Sequence, residues 1–309
     1  MRTKVWIALV ALYIVWGSTY LAIRFAVETI PPFLMAGTRF LISGAILYIW
    51  RRSAGDPSPT PRQWRSAIIV GLLLLLGGNG LVSWAEQHVA SGIAALMVAS
   101  IPLWMVLIEA LRPHGAKPDW KILLGLSIGF GGIALLIGSS TGISAKDGLD
   151  LAGVSVLLFA ALIWSYGSIY GRDADMPQSS LLGTGIEMLG GAAGLFLVGT
   201  SLGEWGQVRL AGISTSSLIG LAYLIVFGSL IGFVSYSWLL RNAPIPLVST
   251  YAYVNPVVAI FVGAWLASEP ITLGIVLSAL IIIGSVVVIN FSKQTRMQPR
   301  KETVTSPAD

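Results

Sequence analysis

The segment LYIVWGSTYLAIRFAVETIPPFLMAGTRF, residues Leu12–Phe40, ends one long apolar run and begins the next. Shifting the chain by 148 residues aligns this segment with residues 160–188 without a gap, and Trp16 then meets Trp164. Later in each half the best shift becomes 154 residues, and the matches keep their order. Collinear matches with matching hydropathy predict that the chain contains two copies of one unit.

The composition of the chain is that of a membrane protein. Of its 309 residues, 55% are hydrophobic and 11% are charged, whereas a soluble domain has about 25% charged residues. A helix that crosses a bilayer needs about 20 mostly apolar residues. The apolar runs here are continuous, which excludes a β-barrel of short alternating strands. We predict ten transmembrane helices, at residues 4–26, 31–50, 64–85, 90–112, 119–138, 149–170, 178–201, 215–240, 244–267 and 271–291.

The distribution of positive charge predicts how these helices are oriented. Among the 19 lysines and arginines, Arg24, Lys146 and Arg209 fall on one side if the spans alternate, and Arg39 falls inside a span. The other fifteen fall on the second side, and the side rich in Lys and Arg is usually cytoplasmic. We therefore predict a multi-pass protein of the cytoplasmic (inner) membrane with both termini in the cytoplasm. Because this charge serves topology, we predict no nucleic-acid partner.

The first apolar run is predicted to be a retained span. It has a basic start, as a signal peptide does, but it is longer than the 7–15 apolar residues of such a peptide and no small-residue cleavage site closes it.

The two copies of the unit are predicted to have opposite orientations. Five spans is an odd number, so the second copy enters the membrane from the other side, as in the inverted repeats of many secondary transporters. The predicted fold is an all-α integral membrane protein with a first repeat at residues 1–141 and a second at 142–292. A cytoplasmic tail at 293–309 is predicted to be disordered. Rocking of one half against the other would give alternating access.

Four motifs resemble a known transporter family. The first is the segment quoted above; the others are VASGIAALMVASIPLW at Val89–Trp104, IWSYGSIYG at Ile163–Gly171 and STYAYVNPVVAIFVGAWLASEP at Ser249–Pro270. With them the chain resembles the EamA branch of the drug/metabolite transporter (DMT) superfamily, and within it the YedA-type inner-membrane proteins, regarded as metabolite exporters. The resemblance implies a ten-helix bundle of two EamA repeats. It also implies peripheral spans 5 and 10, and a central cavity lined by spans 1–4 and 6–9.

Arg39 is the most unusual residue of the predicted spans. A charge at the centre of a spanning helix costs about 2.5–3.5 kcal/mol on insertion scales, so it is expected to face the bundle or a wet cavity. The 148-residue shift places Glu187 at the equivalent position of the second half. The two side chains are predicted to pair across the halves, or each to bind one end of a zwitterionic substrate. A local stabilising role for each is equally compatible with the sequence.

Aromatic and amide side chains complete the predicted site. Aromatic walls suit apolar, aromatic and cationic solutes, although many membrane aromatics only mark the interfaces, as Trp6, Trp50 and Trp265 are expected to do. Tyr170 and Tyr236 belong to the same aromatic set, and so does Tyr253. The predicted substrate-binding residues are Arg39, Glu187, Trp16, Tyr20, Asn79, Trp84, Trp164, Tyr166, Trp238, Tyr251 and Asn255.

Four further residues are predicted to serve gating or coupling. Glu86 and His88, near the outer end of span 3, can titrate and couple movement to protons, although such residues often only end a helix. Pro102 and Pro256 occupy matched positions in spans 4 and 9, where each is predicted to be a hinge or a packing kink.

The predicted function is that of a secondary transporter. It would export a small organic metabolite or drug-like solute, an amino acid or related compound among them, by alternating access. A passive facilitator or channel is the alternative, and a membrane-embedded enzyme is a weaker one because HExxH, P-loop and GxSxG motifs are missing. With no cysteine and two distant histidines, His88 and His114, we predict no metal and no cofactor. The expected partners are the small-molecule substrate and the lipid bilayer, and the protein is expected to be a monomer or homodimer.

Overall fold

A computed structural model describes residues 2–113, 117–141, 150–243, 248 and 250–297 of the chain. These residues are mostly helical and include no strand, which confirms the all-α prediction. Lys146, His114 and the tail at 298–309 lie outside the described residues. The helices are α1 (Arg2–Val27), α2 (Pro32–Ser53), α3 (Pro61–Ala85), α4 (Ser91–Leu111), α5 (Trp120–Thr141), α6 (Leu151–Asp173), α7 (Ser180–Ser201), α8 (215–242), α9 (Tyr251–Ala267) and α10 (Leu273–Met297).

Eight of these helices, α1 to α8, are long and apolar enough to cross a membrane. Among the residues of α9 and α10 whose side chains the structure describes, the apolar stretches are Val254–Ala267 and Leu273–Val288. The count of ten spans therefore stays a prediction. The last helix continues to Met297, so residues 293–297, which were predicted to belong to a disordered tail, are helical.

Side chains in the connections fix where several helices begin. The hydroxyl of Thr60 accepts the backbone N–H of Gln63 and the Gln63 side chain accepts the N–H of Thr60, while Pro61 occupies the first helical position. This capping box starts α3 three residues before the predicted start at 64. Asp150 and Ser179 cap α6 and α7 in a similar way.

The connections gather at two faces of the bundle. We call the face where α1 begins the terminal face; there Arg112, after α4, forms an ion pair of 2.6 Å with Asp173 at the end of α6. We call the other the opposite face. There Thr29, after α1, donates a hydrogen bond of 2.8 Å to Ser217 of α8 and accepts the N–H of Ser214.

The packing of the helices has the pattern that an inverted repeat requires. Helix α2 packs along α7, and α5 packs along α10, so helices at equivalent positions of the two halves meet each other. The contact of α1 with α9 has its counterpart in the contact of α6 with α4. Both halves therefore contribute to one bundle, in which α5 and α10 lie together at the side.

Two helices share an uncommon widening. Residues Leu72–Gly80 of α3 and Leu224–Ile231 of α8 are π-helical, and stretches of this kind are rare and frequent at functional sites. The two stretches occupy corresponding positions in the two halves, since a 154-residue shift carries Gly78 to Gly232.

The outer surface of the bundle is strongly apolar. Large apolar side chains such as Trp6, Leu197, Phe261 and Trp265 are more than half exposed. A soluble protein rarely exposes so much apolar area, whereas lipid covers it without cost. The exposure of Trp6 and Trp265 agrees with their predicted interfacial role.

Candidate functional site

A cavity lies between the two halves, and it has two connected parts. The inner chamber has a volume of about 750 Å³, including space open to solvent. The vestibule, with about 1800 Å³ including the space open to solvent, continues from it to Met176, Pro177 and Ser180 at the terminal face. Among the described residues of α5 and α10 none lines either part. The inner chamber is lined by Trp16, Thr19, Tyr20, Ile23, Arg39, Gly78, Asn79, Val82, Val98, Ile101, Ala160, Ala161, Trp164, Phe233, Tyr251 and Asn255.

Trp16 is the centre of the aromatic wall. Its ring centroid lies 5.4 Å from that of Phe233, 5.3 Å from that of Tyr236 and 5.1 Å from that of Tyr251. The indole N–H donates a hydrogen bond of 3.2 Å to the carbonyl of Gly228 in the π-helical part of α8. Rings in edge and tilted contact form a rigid surface for an apolar or aromatic group.

The two equivalent tryptophans sit against equivalent glycines. A Cβ atom at Gly232 would lie 2.3 Å from the Trp16 indole nitrogen, and one at Gly78 would lie 2.5 Å from the Trp164 ring. Both indoles can therefore enter the cavity only because these two positions lack a side chain. The sequence analysis missed both glycines, although the 154-residue shift aligns them.

Arg39 lines the inner chamber with only 4% of its surface exposed. Its Nε donates a hydrogen bond of 2.9 Å to Ser229, and its guanidinium carbon lies 4.7 Å from the centroid of the Phe40 ring. The acidic group that acts on its charge is Glu86. Arg39 thus keeps donors free to face the chamber while its position is fixed by α8.

Glu187 lines the vestibule. Among the described residues its carboxylate has neither an ion pair nor a hydrogen bond. The neighbouring lining residues Gly183 and Thr184 come from the same helix, α7. A half-buried carboxylate without a partner in a vestibule that reaches the terminal face is available to a cationic solute.

The predicted ion pair between Arg39 and Glu187 is not formed in the described structure. Each residue is the eighth of its helix, which puts it about 10 Å from the helix start at 1.5 Å per residue. Because the repeat is inverted, α2 starts at the opposite face and α7 at the terminal face. In a hydrocarbon core of about 30 Å the two residues are then separated by about 10 Å of depth. The pair is absent from this conformation because equal positions in an inverted repeat are not equal depths, and the alternative that each residue binds one end of a substrate stays a prediction.

The two amides predicted to bind substrate both line the cavity. Asn79 lies on the π-helical part of α3, and Asn255 lines both chamber and vestibule. The buried Oδ1 of Asn255 has no hydrogen-bond partner in the described structure. An acceptor of this kind suits a donor group of a solute.

Glu86 and His88 have different environments. Glu86, one residue beyond α3, is 2% exposed, and neither carboxylate oxygen has a partner in the described structure. Burial, and then the charge of Glu269, raises the pKa of the Glu86 carboxyl well above its usual range. The His88 ring packs on Trp84 and lies 3.4 Å from Asp150 at the surface. Only Glu86 is placed inside the bundle.

The two matched prolines line the vestibule. Pro102 follows an interruption of α4 at residues 99–100, and Pro256 lies inside α9. Both positions agree with kinks beside the cavity, and their predicted hinge role stays a prediction.

Three predicted binding residues do not reach the cavity. Trp84 packs on His88, and Trp238 belongs to a cluster with Leu9 near the terminal face. Tyr166 is 54% exposed on the outer surface, because it lies two residues, or about 200° of helix, from Trp164. The side chain of Tyr253 lies outside the described residues. In the described conformation Trp84, Trp238 and Tyr166 therefore lie away from the cavity lining.

Two buried glutamates close the opposite face, and the sequence analysis assigned neither to the site. Glu204, between α7 and α8, accepts the N–H of Phe33 and of Leu34 at 3.3 and 2.9 Å. Glu269, between α9 and α10, accepts the N–H groups of Ser91 and Gly92 at the start of α4. Each carboxylate caps a helix of the other half. The available signal was that α2 and α4 begin without a capping side chain of their own.

This fold resembles that of solved structures, among them one described as "Crystal structure of protein". It matches with a TM-score of 0.62 at 18% identity, and the match covers 94% of this chain and 99% of that one. At this identity the likeness shows the fold alone.

Sequence relatives carry the name of transporters. The "Uncharacterized inner membrane transporter YedA" of Escherichia coli (strain K12) is 38% identical over 283 residues, 89% of each chain. The "Uncharacterized transporter YoaV" of Bacillus subtilis (strain 168) is 25% identical over 303 residues, 95% of this chain and 99% of that protein. The model of the EamA-like transporter family matches twice, at residues 3–138 and 151–291. The chain therefore belongs to the EamA-like transporter family.

Proposed function

We propose that the protein is a secondary transporter that exports a small organic solute from the cytoplasm by alternating access. The observation that carries the proposal is the cavity between two inverted halves, which reaches the terminal face and ends in a chamber below the opposite face. With both termini in the cytoplasm, the vestibule takes up solute from the cytoplasmic side.

The closed opposite face favours a carrier over a channel. A channel needs a continuous path, whereas here Glu204 and Glu269 hold helix starts of the first half against connections of the second. Access to the other side then requires that the halves move relative to each other, which is what an inverted repeat provides.

The solute of this proposal is a zwitterion with an apolar or aromatic part. Arg39 offers guanidinium donors to a carboxylate in the chamber, and Glu187 offers a counter-charge to an ammonium group in the vestibule. Trp16 and Trp164 supply the apolar wall between them. Amino acids and related compounds have this chemistry.

Counterflow in proteoliposomes tests the proposal. Vesicles with purified protein are loaded with one member of a panel of zwitterionic, cationic, anionic and neutral metabolites, and exchange for the labelled compound is measured. We expect saturable counterflow of at least one zwitterion. Glu187→Gln should weaken its apparent affinity at least tenfold, or about 1.4 kcal/mol, and should leave the analogue without the amino group unchanged.

The matched control is Tyr166→Ala, since the Tyr166 side chain is 54% exposed on the outer surface. We expect it to change the apparent affinity by less than twofold. Unchanged zwitterion affinity in Glu187→Gln would remove Glu187 from the site. A large single-channel conductance without counterflow would contradict the carrier itself.

A further inference from the structure

A single carboxylate at the opposite face connects three parts of the bundle. Glu269 Oε1 lies 2.6 Å from Arg24 Nη1 at the end of α1. The same carboxylate accepts the N–H groups of Ser91 and Gly92, at the start of α4, at 2.9 and 3.2 Å. Two of these parts belong to the first half, and the connection that carries Glu269 belongs to the second.

The local backbone is shaped to put the carboxylate there. Ser268 has a φ of 53°, a left-handed conformation uncommon for serine. The N–H of Glu269 then returns to the carbonyl of Gly263. A Cβ atom at Gly263 would lie 2.5 Å from Glu269 Oε2, so the absence of a side chain makes room for it. A negative charge at a helix start is stabilising, and this stabilisation adds to that of the ion pair.

An equivalent ion pair exists at the terminal face. The 148-residue shift carries Arg24 to Arg172, at the end of α6. The 154-residue shift carries Glu109 to Gly263, and the Glu269 carboxylate occupies the space that a side chain at Gly263 would take. Arg172 Nη2 lies 3.3 Å from Glu109 Oε2 near the end of α4. Each pair thus joins the first helix of one half to the fourth helix, or its end, of the other.

The two pairs differ in exposure, as the two faces do. The side chains of Arg24 and Glu269 are 36% and 7% exposed at the face where the cavity is closed. The side chains of Arg172 and Glu109 are 59% and 26% exposed at the face that the vestibule reaches. Burial and two extra hydrogen bonds make the Arg24–Glu269 link the stronger one in this conformation.

From this geometry we infer that Arg24 and Glu269 form a latch, the ion pair together with the two N–H groups of α4, that holds the opposite face closed and must open in every transport cycle. The inference rests on the proposed alternating access. In the alternate conformation the inverted repeat exchanges the roles of the two faces, so the Arg172–Glu109 pair becomes the buried one.

The test uses the absence of cysteine from the chain. Ser91 is buried directly below the latch, and Ser91→Cys adds an almost isosteric thiol whose reaction with a maleimide, in detergent and without substrate, reports opening. We expect Glu269→Gln to raise this labelling rate at least tenfold. The neutral double variant Arg24→Gln/Glu269→Gln should raise it similarly, and it leaves no lone buried charge if either single variant folds poorly.

Two controls separate latch opening from loosening of the fold. Ser43→Cys reports a buried position between α2 and α8, far from the latch, and Glu109→Gln breaks the equivalent pair at the other face. We expect Ser43→Cys labelling to stay within twofold in the Glu269→Gln background, and Ser91→Cys labelling to stay within twofold in Glu109→Gln.

A Ser91→Cys rate that stays within twofold of the parent in the Glu269→Gln background would overturn the latch. An equal rise at Ser43→Cys would overturn it too, since the carboxylate would then hold the fold as a whole. Because no substrate is involved, these outcomes are independent of whether counterflow supports the proposed function.

Discussion

At the residue scale, charged side chains from both halves lie close to one another. Arg39 and Glu86 act on each other electrostatically, and Arg24 and Glu269 add a second pair of opposite sign to the same region. An unpaired charge in a low-dielectric interior costs several kcal/mol, whereas a compensated group of charges is tolerated. Glu86 is the carboxyl of this group whose pKa burial raises, so its protonation state is the one most readily changed.

The raised pKa of Glu86 predicts a pH dependence of stability. A carboxyl whose pKa is higher in the folded state contributes stability that is complete below the usual value of 4.5 and is lost as pH rises through the folded value. Glu86→Gln removes this titration. The free energy of unfolding of the variant, relative to that of the parent, should therefore increase as pH rises above about 4.5. The increase should be at most about 1.4 kcal/mol per pH unit.

Unfolding titrations in mixed detergent from pH 5 to pH 8 measure this difference. Tyr20 and Arg24 on α1, Arg39 on α2 and Glu269 are the charged or titratable groups that act on Glu86, and all remain in the variant. Glu28→Gln, at an exposed position of the same face, is the control for the loss of a carboxylate. A difference independent of pH would mean that Glu86 does not titrate in the folded protein.

At the scale of elements, α3 approaches α7 closely at Gly71. A Cβ atom at Gly71 would lie 2.0 Å from the backbone carbonyl oxygen of Glu187, and backbone cannot move aside as a side chain can. We expect Gly71→Ala to lower the free energy of unfolding by about 1–3 kcal/mol or more, and to displace Glu187 from the vestibule.

Gly131→Ala is the matched control for this substitution. Gly131 also lies inside a helix, α5, but a Cβ atom there would meet nothing within 4 Å. It should therefore be neutral or raise the free energy of unfolding by about 0.5–1 kcal/mol through the helix propensity of alanine. Thermal unfolding of both variants in detergent gives the comparison, and equal midpoints would contradict the close approach.

The elements show what the sequence could and could not predict. Apolar length and the Trp16–Trp164 match predict the helices and the duplication, because both depend on local composition and order. The start of α3 was missed because it depends on a capping side chain, Thr60, in a polar linker. Glu204 and Glu269 were missed because each serves a helix distant in sequence, and such partners become visible only when the halves pack.

At the scale of the whole molecule, the orientation in the membrane decides what the cavity does. The vestibule reaches the terminal face, and the closed face carries Glu204 and Glu269. If the terminal face is cytoplasmic, the described conformation faces inward and receives solute for export. If the orientation were reversed, the same conformation would face outward.

Single cysteines decide the orientation, since the chain has none of its own. Ala54→Cys adds an exposed thiol to the connection between α2 and α3, and Gly206→Cys adds one between α7 and α8, where a Cβ atom meets nothing within 4 Å. Because fifteen of the 19 basic residues are assigned to the terminal side, we expect that side to be cytoplasmic. In spheroplasts a membrane-impermeant maleimide should then label Gly206→Cys at once and Ala54→Cys only after permeabilisation. The reverse pattern would place the termini outside, and the vestibule would then be an entrance for uptake, because the same inverted halves would present it to the external medium.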